Sequence, residues 1–158
     1  MCGRLDQNDT ARNYASAFGW ADAIFDSQSG TSFNAAPGTY RPVLHVQDGQ
    51  PRVDDVFWSY RPAWAASSTP APGKKRIPIA VNAKVEKLMG AYWKPLMRSG
   101  RGIVCASGWY EWTGPKGAKQ PWHIHRKDRK PVYILALACF GSPKERPAPF
   151  TGSIISPS

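Results

Sequence analysis

At 158 residues, with 42% hydrophobic and 15 prolines, the chain has the length of one domain, enough apolar mass for a core, and too much proline for a fold of long helices. A formal charge of +10 favours a polyanionic partner, nucleic acid first, over neutral or cationic ones. Three cysteines without a CxxC, and three histidines outside any Cys/His cluster, argue against a structural zinc site and for a reducing compartment. No apolar run is long enough to span a membrane, and MCGRLDQNDT lacks an apolar signal region, so the expected address is the cytoplasm.

In chain order, residues 9–19 predict a short helix capped by Asp9 or Thr10, with Tyr14, Ala17 and Phe18 as its apolar stripe and Gly19 as its stop. FNAAPGTYRP (33–42) reads as a loop turning at Pro37-Gly38. VLHVQ (43–47) and VDDVFWSY (53–60) predict a hairpin about Asp48-Gly49. Residues 66–76 predict a surface loop, IPIAVN (77–82) a buried strand, and 84–98 a helix that Pro95 weakens in its last turn. GIVCA (102–106) and WYEW (109–112) are short strands about Ser107-Gly108. WHIHR (122–126) and PVYILALACF (131–140) predict a hairpin across KDRK, the second strand fully buried, and FTGSIISPS begins another strand.

Three segments carry chemistry. Removal of Met1 would leave Cys2 as the first residue, with an amine and a thiol on adjacent carbons. Both have a nucleophilic fraction near neutral pH. Such an aminothiol captures an aldehyde as a Schiff base, and the thiol then closes a thiazolidine ring. On four residues alone, a chance Cys on a frayed terminus is the simpler account. In SGWYEW (107–112), Glu111 stands between aromatic residues, where a carboxylate can move protons. Strand alternation puts Glu111 with Trp109 and Tyr110 with Trp112, so Glu111 is equally readable as a surface residue. In VNAKVE (81–86), a strand passes toward a helix start: Asn82 can orient a substrate or cap the helix, and Lys84 can meet a phosphate.

Taken together, MCGR (1–4), FNAAPGT (33–39), FWSYRPAW (57–64), VNAKVE (81–86), GIVCASGWYEW (102–112) and QPWHIHRKDRKPVYILAL (120–137) resemble the SRAP family, the SOS-response-associated peptidases. The six segments keep the family's order along nearly the whole chain. The resemblance implies an α+β fold: a β-rich core of curved, barrel-like, mostly antiparallel sheet with a few short flanking helices, in a single domain over 1–158. It implies a single-stranded DNA-binding enzyme, monomeric and nucleoid-associated, that crosslinks to abasic sites, including those at strand–duplex junctions, and processes its own N-terminus as a peptidase. Its residues would be Cys2 as nucleophile, Asn82 beside it and Glu111 as acid/base. Arg4, Asn34 and Lys84 would hold phosphates or sugar, and Pro37 and Trp64 would pack on bases. Lys84 replaces the family's commoner Arg, keeping the charge but losing the bidentate fork. No cofactor, metal or membrane is implied. The family's His, in an H-[DE]-R-[MR]-P segment, finds no match in His45, His123 or His125, so the resemblance implies a chain that stops short of it.

Other readings of the same residues remain. An N-terminal-nucleophile amidotransferase also begins Met-Cys-Gly, but its R-G-P-D and N-G-[DE] segments are absent, and a glutaminase assay separates the two. A non-catalytic single-strand-binding module would be indifferent to Cys2→Ala. A degenerate remnant would do neither.

Overall fold

The computed structural model describes residues 3–67, 69–70, 72–140 and 151–156. The strands are β1 (Leu5–Gln7), β2 (Ile24–Asp26), β3 (Ser32–Ala35), β4 (Tyr40–Gln47), β5 (Gln50–Trp58), β6 (Asn82–Lys84), β7 (Arg101–Ala106), β8 (Gly108–Thr113), β9 (Gln120–His125), β10 (Val132–Ala138) and β11 (Thr151–Ser156). Three short helices accompany them: α1 (Ala11–Ala17), α2 (Ala63–Ser67) and α3 (Lys94–Ser99).

The strands form two sheets. The smaller runs β3-β1-β8-β9; the larger runs β2-β5-β4-β7-β10-β11-β6. The larger sheet curls, so that β11 also meets the end of β5 in parallel, at Thr151–Phe57 and Gly152–Trp58. That curl stops short of a closed barrel. The architecture is the β-rich α+β fold expected, with few short helices.

Three apolar clusters hold the layers. Leu5 and Ala35 of the small sheet pack against Val43, Val56, Trp58, Val104, Ala106, Ala136 and Ala138 of the large one. Small residues at the contact let the two sheets approach closely. On the other face of the large sheet, Tyr14 and Ala15 of α1 bury against Leu44, Val53 and Cys105. Burial pushes the Cys105 thiol up to about 12, so it is an inert core residue. A third cluster joins Tyr60, Ala83, Trp93, Leu96 and Leu137.

Local chemistry explains several boundaries. Thr10 Oγ1 accepts from the Asn13 N–H at 3.1 Å and caps α1. Ala15, not Ala17, is the buried small residue of its stripe. The β4–β5 turn has positive φ at both Asp48 and Gly49, the primed geometry that matches strand twist. At Ser107 the chain steps from β7 in the large sheet to β8 in the small one. That corner is pinned: the Ser107 N–H donates to the Asp6 carbonyl at 2.7 Å, and its hydroxyl donates to Asn8 Oδ1 at 2.6 Å.

Several expectations are corrected. The 33–42 segment is a loop only over residues 36–39, because its ends belong to β3 and β4. β9 and β10 are consecutive but do not form a hairpin. β9 pairs with β8, while β10 returns to the large sheet between β7 and β11. Apolar Ala136, Leu137 and Ala138 are buried there, and a strand so placed needs a neighbour on each side. Its first half is not buried: Tyr133 is 40% and Leu135 61% exposed. Residues 77–81 are not a buried strand: Ile79 is 54% exposed, Ala80 makes only an isolated bridge to Tyr60, and the strand begins at Asn82. The 84–98 helix breaks into a 3₁₀ turn at Val85–Lys87 and α3, with Gly90 between. Pro95 lies in the first turn of α3, where its missing N–H costs nothing, rather than in a last turn. Val85 and Met89 are 53% and 73% exposed.

Candidate nucleic-acid interface and active site

The small sheet gathers the first group of residues. Leu5 lies opposite Trp109 and Ala35. The Tyr110 N–H donates to the Arg4 carbonyl at 3.0 Å, so the antiparallel register continues past Leu5. Carried one residue further, it sets Gly3 level with Glu111. Cys2 and Met1 lie outside the described residues. On the opposite face of β1, Arg4 Nη1 donates to Asn34 Oδ1 at 3.3 Å. Glu111 is half-buried, and its cross-strand partner is Trp122.

Trp58 ties the second group to the first. Its carbonyl accepts from Gly38 at 2.9 Å and its N–H donates to the Thr39 carbonyl at 2.9 Å. Its indole Nε1–H donates to the Val81 carbonyl at 2.8 Å. One buried residue therefore ties the Pro37 turn, through its backbone, to the approach to Asn82, through its indole. Pro37 is half-buried in that turn, with Gly38 at φ +84°. Asn82 opens β6, opposite Ile154 of β11. Its buried Oδ1 has no hydrogen-bond partner among the described residues, as expected of a group kept for a ligand or a water. Ala83 is fully buried, so alternation turns Asn82 and Lys84 to the other side. Both line a cavity of about 670 Å³, with Ile77, Tyr92 and Trp93. Asn82 is not the helix cap: that position falls to Lys84, whose side chain makes no capping bond, ahead of a three-residue 3₁₀ turn. Phosphate capture at a helix start is therefore not available here. Trp64 lies on α2 and is 48% exposed.

Residues 1–156 match the family described as SOS response associated peptidase (SRAP). The chain belongs to this family. It is 33% identical over 150 residues to the abasic site processing protein YedK of Escherichia coli (strain K12), covering 92% of this chain and 62% of that protein. It is 31% identical over 109 residues to the abasic site processing protein HMCES of Gallus gallus, covering 63% of this chain and 32% of that one. The chain thus spans less than two thirds of the curated relatives it matches. Among solved structures, a phage-related protein of Bordetella bronchiseptica superposes with a TM-score of 0.74 at 29% identity, covering 99% of this chain and 69% of that one. A Bacteroides thetaiotaomicron protein, at 20% identity and a TM-score of 0.73, covers 99% and 68% and shares the fold.

Within this SRAP chain the structure also brings forward residues the motifs did not single out. Asp6 is 3% exposed, on the Arg4 face of β1. His123 Nε2 stands 3.1 Å from its Oδ2, and the imidazole stacks on Tyr110 at 4.9 Å. Burial is the largest influence on the Asp6 carboxyl and raises its pKa; His123 and Asn8 offset part of this. The signal was cross-strand pairing: Tyr110 faces His123 and Gly108 faces His125 across β8–β9. A linear motif does not display that pairing. Among the described residues no cluster of His, Cys, Asp or Glu is arranged to hold a metal. No described helix is long and apolar enough to cross a membrane.

Proposed function

We propose that this SRAP chain acts on abasic sites in single-stranded DNA, forming a covalent crosslink through Cys2. The observation that carries the reading is the β1–β8 register. It pairs Leu5 with Trp109 and holds the Arg4 carbonyl on the Tyr110 N–H, and extending it by one residue would bring Gly3 level with Glu111, while Arg4 reaches Asn34 on the other face. Its relatives' names, the basic charge and an Asn82 Oδ1 without a partner among the described residues point the same way.

After Met1 removal, the Cys2 amine adds to the aldehyde of the ring-opened sugar. Loss of water gives an imine, and the Cys2 sulfur adds to its carbon while the nitrogen takes a proton, closing the thiazolidine. Glu111 carries the protons of the dehydration and closure. Asn82 orients the terminus, Arg4, Asn34 and Lys84 meet phosphates or sugar, and Pro37 and Trp64 pack against bases at a strand–duplex junction. The peptidase chemistry of the family name corresponds here to freeing the Cys2 amine. The reading entails a monomer working near DNA in the cytoplasm.

The test is a denaturing gel of untagged protein with an abasic single-stranded oligonucleotide. A shifted band that disappears in Cys2→Ala, and forms about 100-fold more slowly in Glu111→Gln, is expected. Equal yield from Cys2→Ala overturns the reading.

A further inference from the structure

We propose that Trp122 is a stacking platform for an unpaired nucleobase beside Glu111. The proposal rests on the single-stranded DNA reading and adds to it the side chain that takes the base. Trp122 lies directly opposite Glu111 in the β8–β9 ladder. Paired residues share a face, so the indole stands on the side that carries Glu111, Trp109 and Leu5. Toward Leu5 that face is sealed by the large sheet. At Trp122 the cover has ended, and the residue is 56% exposed.

Its polar handle is already used. The Nε1–H donates to Thr113 Oγ1 at 2.8 Å, which holds the ring in place and leaves its π-face for an apolar partner. Cationic residues lie at both ends of the strand. Lys116 and Lys119 occupy the β8–β9 turn, and Arg126, Lys127, Arg129 and Lys130 the connection to β10. Arg126 is engaged with Asp128 at 2.6 Å. An exposed aromatic between two basic segments suits a strand whose phosphates run past both ends and whose base stacks between them. An acidic peptide would satisfy the charges and leave the indole face in water. Trp112 is opposite Pro121 and on the other face, so it cannot substitute.

The experiment uses the intact chain. Tryptophan fluorescence is followed at low salt during titration with oligothymidylate carrying no abasic site. Wild type should bind with quenching. Trp122→Ala should bind about 10-fold more weakly, within the range for loss of one base–aromatic stack, and lose part of the quench. Trp122→Phe should recover most of the affinity, which separates stacking from a folding defect. In crosslinking, the Trp122→Ala defect should disappear when the nucleotide flanking the abasic site also lacks its base. Wild-type binding with unchanged affinity in Trp122→Ala overturns this proposal alone. If wild type crosslinks abasic DNA and Trp122→Ala matches the wild-type rate whether or not the flanking nucleotide carries its base, this proposal fails and the Cys2 reading stands. Absence of any wild-type binding or crosslinking overturns both.

Discussion

Two buried carboxylates, one in each sheet, show how differently the same group can be treated. Asp54 of β5 accepts from His45 Nε2 at 2.5 Å and from Arg52 Nε at 3.1 Å. Burial alone would raise its pKa; the bonds and charges of His45 and Arg52 outweigh it and pull it down to about 2. Asp6 of β1 is equally buried, but its Oδ1 has no hydrogen-bond partner among the described residues, and its pKa moves up. The first carboxylate is compensated where the β4–β5 hairpin must be held. The second stays under-compensated beside the candidate site, where a polar group without a full set of partners is a reservoir rather than a brace.

The largest effect should come from Asp54→Ala. It leaves the buried His45 Nε2 without its acceptor and Arg52 with only the longer contact to Asp26 at 3.7 Å, and should cost about 3–5 kcal/mol in urea unfolding. The pH dependence follows from the same group. The folded carboxyl sits at about 2 against an ordinary 3.8, so its contribution is complete above the unfolded value. It is lost as pH falls from 3.8 toward 2, by about 2 kcal/mol. Wild type should therefore weaken across that window more than Asp54→Ala does. Equal slopes would mean that Asp54 is not the compensated partner.

Gly108→Ala probes the second region next. A Cβ there would lie 2.7 Å from His123 Nε2 and press on the β9 backbone at Ile124. His123 would have to leave Asp6, or β8 and β9 would have to part. The expected cost is about 1–3 kcal/mol, as for overpacking in a filled space, with loss of the His123–Asp6 contact visible in the imidazole NMR shifts. A stable variant with unmoved His123 resonances would show that the small sheet is looser than its packing implies.

What could be read from the sequence divides along similar lines. Local signals held: the Thr10 cap, the Asp48-Gly49 turn and the alternation in 109–112 each depend on neighbours a few residues away. Which strand meets which did not follow. β9 and β10 look like a hairpin in the chain because the composition of the KDRK connection carries no record that it crosses between sheets. The 84–98 segment has helical spacing, but Gly90 and Pro95 favour a break that the spacing does not reveal. The candidate residues, Glu111 and Asn82 among them, were picked out as motifs. Trp58, which ties the Pro37 turn to Val81, was invisible as an actor because its role is a hydrogen bond across 23 residues. His123 and Asp6 are 117 residues apart, and only folding makes them neighbours.

The smallest effect belongs to Asp6→Asn, and it is the sharpest test of the comparison. The amide keeps an acceptor for Asn8, 3.3 Å away, and removes a charge that burial disfavours. Losing the attraction to His123 offsets part of that gain, so stability at pH 7 should change by no more than about 1 kcal/mol. The sign with pH is opposite to that of Asp54. A carboxyl whose folded pKa is raised contributes most when protonated, below its unfolded value, and loses that contribution as pH rises through the folded value. Asp6→Asn is neutral throughout, so its stability relative to wild type should improve as pH rises from 4 to 7. Urea unfolding at those two pH values measures it. A loss at pH 7 as large as that of Asp54→Ala would mean that His123 compensates Asp6 as fully as Arg52 and His45 compensate Asp54, and the contrast between the two sheets would disappear.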